Sequence, residues 1–210
     1  NTYLCTPLTS RSDTLGCIAL AFRRADIDLA RVLDLFRWIG PLLGLVIDAA
    51  LTRLQQSAKL LLQGVEGDPE RRLPRALHTL LQEMVRVTSA DCGEMCLPWH
   101  ASQLRRLVAG GGDVPCCPVL SADTIARCPA FEVGTPRLLR GRRATWPLAC
   151  RDAPHPGGAW CCTPLACDGE SLGVIRLCYR HLRPVSPGAN IAVLERLASL
   201  AAEKVRDMRE

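Results

Sequence analysis

Residues 2 to 8 and 15 to 23 are two apolar, β-tending stretches, and the polar run Ser10-Arg11-Ser12-Asp13 separates them. Apolar segments around polar punctuation of this kind predict a β-hairpin. From Leu29 the spacing changes. Leu29, Val32, Leu33, Phe36, Ile39, Leu43, Val46, Ala50 and Leu54 recur every three or four residues and predict a long amphipathic helix reaching residue 62. Gly40-Pro41 should bend or interrupt it, because proline lacks the amide hydrogen and its ring crowds the preceding turn. Gly64-Val65-Glu66-Gly67-Asp68-Pro69 ends the pattern and marks the expected domain junction.

Beyond the junction the spacing predicts a helix over 73–87, with strands over 93–98 and 104–109 stopped by Gly110-Gly111-Gly112. Residues 113–156 read as irregular. They hold one short helix over 125–131, capped by Ser121 or Asp123. Strands over 159–166 and 172–179 flank Asp168-Gly169, a strong hairpin turn signal. A final helix opens at Ser186-Pro187 and carries Ile191, Leu194, Leu197, Ala198, Ala201 and Val205 on one stripe.

The two hairpins are copies of each other. Tyr3-Leu4-Cys5-Thr6-Pro7-Leu8 returns 157 positions later as Trp160-Cys161-Cys162-Thr163-Pro164-Leu165, and Leu15-Gly16-Cys17-Ile18-Ala19-Leu20 returns at the same offset as Leu172-Gly173-Val174-Ile175-Arg176-Leu177. Each copy then runs into an aromatic-Arg pair and a helical pattern. That spacing fits one ordinary domain plus a connecting helix. The chain starts with Asn1 and has four residues before Cys5, so the expectation is a truncated first domain over 1–62, a linker over 63–72 and a complete domain over 73–210.

Apolar residues make up 48% of the chain and charged residues 22%, proportions of a chain able to bury a core. The net charge of +5 comes mostly from dispersed arginines; Arg137, Arg140, Arg142 and Arg143 form the sole cluster, which reads as a solvated loop. Nucleic acid is not an expected partner, since a basic stripe interleaved with aromatics is missing. The most apolar run, residues 38–51, is interrupted by Asp48 and falls short of the ~20 residues a membrane span needs. Twelve cysteines lack Cys-x-x-Cys knuckles, so no structural metal is expected. Cys5, Cys17, Cys162 and Cys178 fall in apolar strand patterns where a buried thiol serves as a small apolar group, which suits a reducing, cytoplasmic setting.

The closing segment resembles the C-terminal half of a GAF domain. The residues carrying the likeness are Cys162-Thr163-Pro164-Leu165, Asp168-Gly169, Leu172 through Leu177, Ser186-Pro187, and the Leu-x-x-Leu-Ala-x-x-Ala-Ala helix from Leu194 to Ala202. Arg127-Cys128-Pro129-Ala130-Phe131-Glu132-Val133-Gly134-Thr135-Pro136 is similar to a Cys-x-Ala-x-x-x-Gly-x-Pro segment of GAF modules in bacterial sensor proteins. The resemblance implies an α+β fold, a GAF-like (PAS-related) antiparallel sheet flanked by terminal helices. It also implies a non-catalytic regulatory module of a bacterial cytoplasmic signalling protein, preceding a diguanylate cyclase or histidine kinase output.

The cyclic-nucleotide signature of such domains is missing, and no cysteine precedes a histidine as bilin attachment commonly requires. His78, His100, His155 and His181 read as surface or loop residues rather than haem ligands. No cofactor is named. The expected ligand is an unidentified small molecule lined by Trp99, Cys128, Phe131, Trp146 and Cys162. A homodimer through helices 29–62 and 190–210 is the expected assembly. Two other readings stand beside this one: a cysteine-dependent free methionine sulfoxide reductase, with Cys128, Cys150, Cys161 and Cys162 as candidate thiols, and a purely structural interaction module.

Overall fold

The computed structural model of the 210-residue chain describes residues 2–10, 13–22, 28–64, 69–100, 103–110, 125–139, 158–180 and 187–209. It divides into two compact units, Asn1–Gln56 and Ser57–Glu210. In the first unit β1 (Thr2–Ser10) and β2 (Asp13–Phe22) pair antiparallel, with a bulge between Leu8 and Thr9. Helix α1 (Leu29–Gln63) follows and runs on into the second unit. Proline does not end it. Pro41 lies inside the continuous helix, and the glycines at 40 and 44 let its backbone approach β1. A Cβ at Gly44 would fall 2.1 Å from the Thr9 carbonyl oxygen, so no larger residue fits there without movement. By length and composition α1 could pass for a membrane-crossing helix. Its uncharged run between Arg37 and Asp48, however, is ten residues, ~15 Å of helix against a ~30 Å hydrocarbon core.

The second unit is built on a five-stranded antiparallel sheet of order β4-β3-β7-β6-β5. Its strands are β3 (Cys92–His100), β4 (Gln103–Gly110), β5 (Arg137–Leu139), β6 (Ala159–Cys167) and β7 (Glu170–Tyr179). Helix α2 (Pro69–Val87) precedes the sheet, and α4 (Pro187–Asp207) follows it. A 3-10 turn (Ile125–Arg127) leads into the short helix α3 (Pro129–Val133). This is the GAF-like α+β arrangement the sequence implies.

Helix α2 starts four residues before the expected 73, because proline is tolerated in a first turn whose amides have no partner anyway. Its stripe of Leu73, Ala76, Leu77, Leu80, Leu81 and Met84 is buried, as is the α4 stripe of Leu194, Leu197, Ala198, Ala201 and Val205. Both cover one side of the sheet. Gly93 meets Val85 and Leu81 of α2, and Cys161 lies near Glu195 of α4. Directly opposite residues on antiparallel strands share a face, so the pairs Gly93↔Leu177 and Cys161↔Leu177 place both on that helix side. Gly173 sits on the same side with its hypothetical Cβ 2.6 Å from the Cys96 carbonyl oxygen, the close approach its mid-strand position suggests. Asp168 and Gly169 both take positive φ, as the favoured two-residue hairpin turn requires.

Two expectations are corrected. Residues 113–156 are not wholly irregular: Arg137, read as part of a solvated arginine loop, lies in β5, where pairing with β6 determines the local structure. Cys5 and Cys17 are exposed rather than buried, because the described residues put no layer over their side of the first hairpin; Cys162 and Cys178 are buried as expected. Residues 140, 142 and 143 of the arginine cluster, the expected caps Ser121 and Asp123, Cys150, His155, His181 and the junction at 65–68 lie outside the described residues.

Candidate functional site

Strand register decides which side chains face away from the helices. The pairs Cys92↔Cys178, Glu94↔Arg176 and Cys96↔Val174 join β3 to β7, and Trp160↔Cys178, Cys162↔Arg176 and Pro164↔Val174 join β7 to β6. Side chains have a period of two, so all of these sit on the face opposite Gly93, Leu177 and Cys161. The adjacent residues Cys161 and Cys162 are therefore divided between the two faces. One belongs to the helix-side core and the other to a face carrying charge and thiols.

At the middle of that face Arg176 hydrogen-bonds and ion-pairs with Glu94, which also binds Arg106. Glu94 is 1% exposed and Arg176 5%. A charge this deeply buried is tolerated only when paired. The Arg176 guanidinium carbon also stands 3.9 Å from the centre of the Trp160 ring, a cation–π contact. Two guanidinium groups share the Glu94 carboxylate here. Among the described residues the buried Arg176 Nε–H finds no hydrogen-bond acceptor.

Beside the arginine, Cys128, Ala130, Cys162 and Val174 form a buried cluster against which Phe131 packs. Helix α3 is held over the sheet there. The Ser171 hydroxyl on β7 donates to the Phe131 carbonyl at 3.0 Å, and Gly134 ends the helix in the left-handed conformation with its N–H on the Ala130 carbonyl. Cys128 stands at the N-cap. The Cys162 thiol donates to it and is the largest influence on its acidity, holding it down to about 6 against the opposing effect of burial; the Phe131 and Ala130 amides and the Arg176 charge add to the lowering. The Cys178 thiol likewise lowers Cys92, whereas Cys161 and Cys96 differ. Burial pushes Cys161 up to about 11, and burial with Glu94 nearby pushes Cys96 up strongly. A second thiol pair, Cys92 and Cys178, packs with Trp160 and Leu139 at the far end of the face.

Of the five expected ligand-lining residues, the structure brings Cys128, Phe131 and Cys162 together. Trp99 lies in β3, where only its backbone is described, and Trp146 lies outside the described residues. The expectation missed Glu94, Arg176 and Trp160 as site residues. Alternation in β3 and β7 places Glu94 and Arg176 on strand faces, and two opposite charges inside apolar strands were the available signal. Among the described residues no group of His, Cys, Asp or Glu could hold a metal ion. His78 is half-buried, with its ring Nε2 hydrogen-bonded to the Val108 carbonyl at 2.9 Å, which ties α2 to β4.

No family model and no curated protein matches the chain. Solved structures do. The chain is similar to the GAF domain of a protein assigned as a sensor histidine kinase from Pseudomonas syringae pv. tomato, at 18% identity and TM-score 0.51 over 77% of this chain and 89% of that one. It is similar to the GAF domain of an Acinetobacter phosphoenolpyruvate-protein phosphotransferase, at 13% identity and TM-score 0.51 over 76% and 92%. The free methionine-R-sulfoxide reductase of Neisseria meningitidis, solved with its substrate, matches at 15% identity and TM-score 0.55 over 77% and 91%. At these identities the likeness concerns the fold, and the fold of this chain is that of a GAF domain.

Proposed function

We propose that residues 57–210 form the sensing domain of a bacterial cytoplasmic signalling protein and bind a small, oxygen-rich or anionic ligand on the sheet face away from α2 and α4. The observation that carries this reading is Arg176. It is buried, and it keeps a donor without an acceptor among the described residues. Buried donors are nearly always satisfied, and a bound acceptor would satisfy this one. Sensor proteins among the solved structures of this fold support a regulatory role. In this reading the terminal helices pass the bound state to an output domain of the diguanylate cyclase or histidine kinase type.

Thermal unfolding of the 210-residue chain against a panel of amino acids, small carboxylates and nucleotides tests the ligand. A compound that raises the midpoint for the wild type and not for Arg176→Met keeps the reading. If nothing in the panel stabilises the chain, an interaction module without ligand becomes the better account.

Assembly is part of the same proposal. The α4 stripe is buried inside its own unit, whereas α1 leaves Leu35, Trp38, Leu42 and Leu45 exposed at the three- and four-residue spacing of a helix-pairing seam. A homodimer contact therefore centres on α1. Sedimentation of the whole chain should give a dimer that Leu42→Glu dissociates, and a wild-type monomer sinks the idea.

The thiol pair on the candidate face favours a second reading, methionine sulfoxide reduction. It requires thiol-dependent turnover of free methionine sulfoxide that disappears in Cys128→Ser, and an inactive wild type removes it.

A further inference from the structure

We propose that Cys128 and Cys162 form a peroxide-oxidised dithiol, a modification site in which Cys128 is attacked first and Cys162 closes the disulfide. The site goes beyond ligand sensing and stands whether or not a ligand is found.

The argument begins with placement. The two thiols come from separate elements, the N-cap of α3 and the middle of β6, and they meet in one buried cluster in which one sulfur donates to the other. That hydrogen bond has a chemical consequence: the accepting sulfur is favoured as thiolate. The Arg176 charge, set beside Cys162 by the β6–β7 register, adds to that preference. The thiolate is the nucleophile in peroxide chemistry, so Cys128 is the sulfur prepared to react.

The step balances with hydrogen peroxide as oxidant. The Cys128 thiolate attacks one peroxide oxygen, the O–O bond breaks, and hydroxide leaves, taking a proton to become water. The sulfur is then a sulfenic acid. The Cys162 sulfur attacks it, a sulfur–sulfur bond forms, the sulfenic oxygen departs as a second water, and the Cys162 proton goes to that leaving group. Two thiols and one peroxide give one disulfide and two waters.

Selectivity comes from the neighbours. Cys96 and Cys161 are held as thiols by burial. Cys92 is also favoured as thiolate by its hydrogen bond from Cys178, and what separates this pair from the other is geometry: its members are directly opposite residues on paired strands. Opposite strand residues hold their Cβ atoms ~4.5–5.5 Å apart, wider than the ~3.5–4.5 Å a disulfide favours. Cys128 is under no such restraint, since it caps α3 and is not a strand residue paired opposite Cys162. The new bond would staple α3 to the sheet and remove the negative charge facing Arg176.

The test uses the whole chain. It is treated with equimolar hydrogen peroxide, its remaining thiols are blocked with N-ethylmaleimide, and it is mapped by non-reducing tryptic mass spectrometry. The expected result is a Cys128–Cys162 linkage in most molecules, reversed by dithiothreitol, with Cys92 and Cys178 alkylated. Recovery of Cys128 as the free, alkylated thiol overturns the proposal, as does its direct passage to sulfinic acid while Cys162 stays free. In Cys162→Ser, a dimedone-trapped sulfenic acid at Cys128 is the supporting outcome, and its absence counts against the assigned order. Wild-type mapping keeps the question decidable should that variant fail to fold.

Discussion

The β1–β2 and β6–β7 hairpins share sequence motifs and the same register, yet they live in opposite environments. Cys5↔Ala19, Leu8↔Gly16 and Ser10↔Asp13 become Cys162↔Arg176, Leu165↔Gly173 and Cys167↔Glu170 at the 157-residue offset, and even the bulge is shared, between Leu8/Thr9 and Leu165/Ala166. In the first hairpin Leu4, Thr6 and Leu8 are half-buried on the side α1 approaches, while Tyr3, Cys5 and Pro7 on the other side are exposed. In the second hairpin both sides are buried, with α4 on one and α3 on the other. Hairpin geometry is thus encoded locally. What turns one face of it into a site is the layer added on top.

The largest test of that contrast is the aromatic position. Trp160 is 2% exposed and Tyr3 73% exposed. Trp160→Ala should cost about 3–5 kcal/mol, read from amide exchange in β7, whereas Tyr3→Ala should change exchange in β2 by less than about 0.5 kcal/mol. Equal effects would break the comparison.

Next is the charge. Arg176→Ala removes a buried partner of Glu94 and should cost about 3 kcal/mol, the low end for breaking a buried pair because Arg106 remains. The reverse change at the equivalent, exposed Ala19, Ala19→Arg, should be neutral within about 0.5 kcal/mol.

A smaller effect concerns acidity. Alkylation of Cys128 should follow pH with a midpoint near 6, and Cys162→Ala should move that midpoint up toward the ordinary 9.0, since the Cys162 hydrogen bond is the largest influence on it. Cys5 should alkylate with a midpoint above 9.0, because its bond to Cys17 raises it. A Cys128 midpoint unchanged in Cys162→Ala would show that Arg176 and the α3 amides carry the shift instead.

The last prediction is linkage. Cys128 titrates lower when folded, so its contribution to stability is complete above the unfolded value of 9.0 and is lost as pH falls through about 6. Denaturation midpoints of the wild type should therefore fall between pH 9 and 6 more than those of Cys128→Ser, by an amount that vanishes if the thiol is unperturbed.

Apolar runs bounded by turn residues determined both hairpins and the turn at Asp168-Gly169, and helical periodicity determined the long helices, because those patterns are local and have one stable reading each. The motif around Cys128 and the closing strands already place the chain among GAF-like folds. Periodicity did not show β5: three residues are too few for a pattern to register, and pairing with β6 alone makes Arg137–Leu139 a strand. Nor did it mark Glu94 and Arg176 as partners, since 82 positions separate them and only sheet register sets them opposite each other. The same limit applies to the cysteines. Residues 5 and 162 are equivalent in sequence, and alternation puts each on a definite face. Whether that face meets water or a second thiol depends on which elements pack over it, and packing is a property of the assembled fold rather than of any local run of residues.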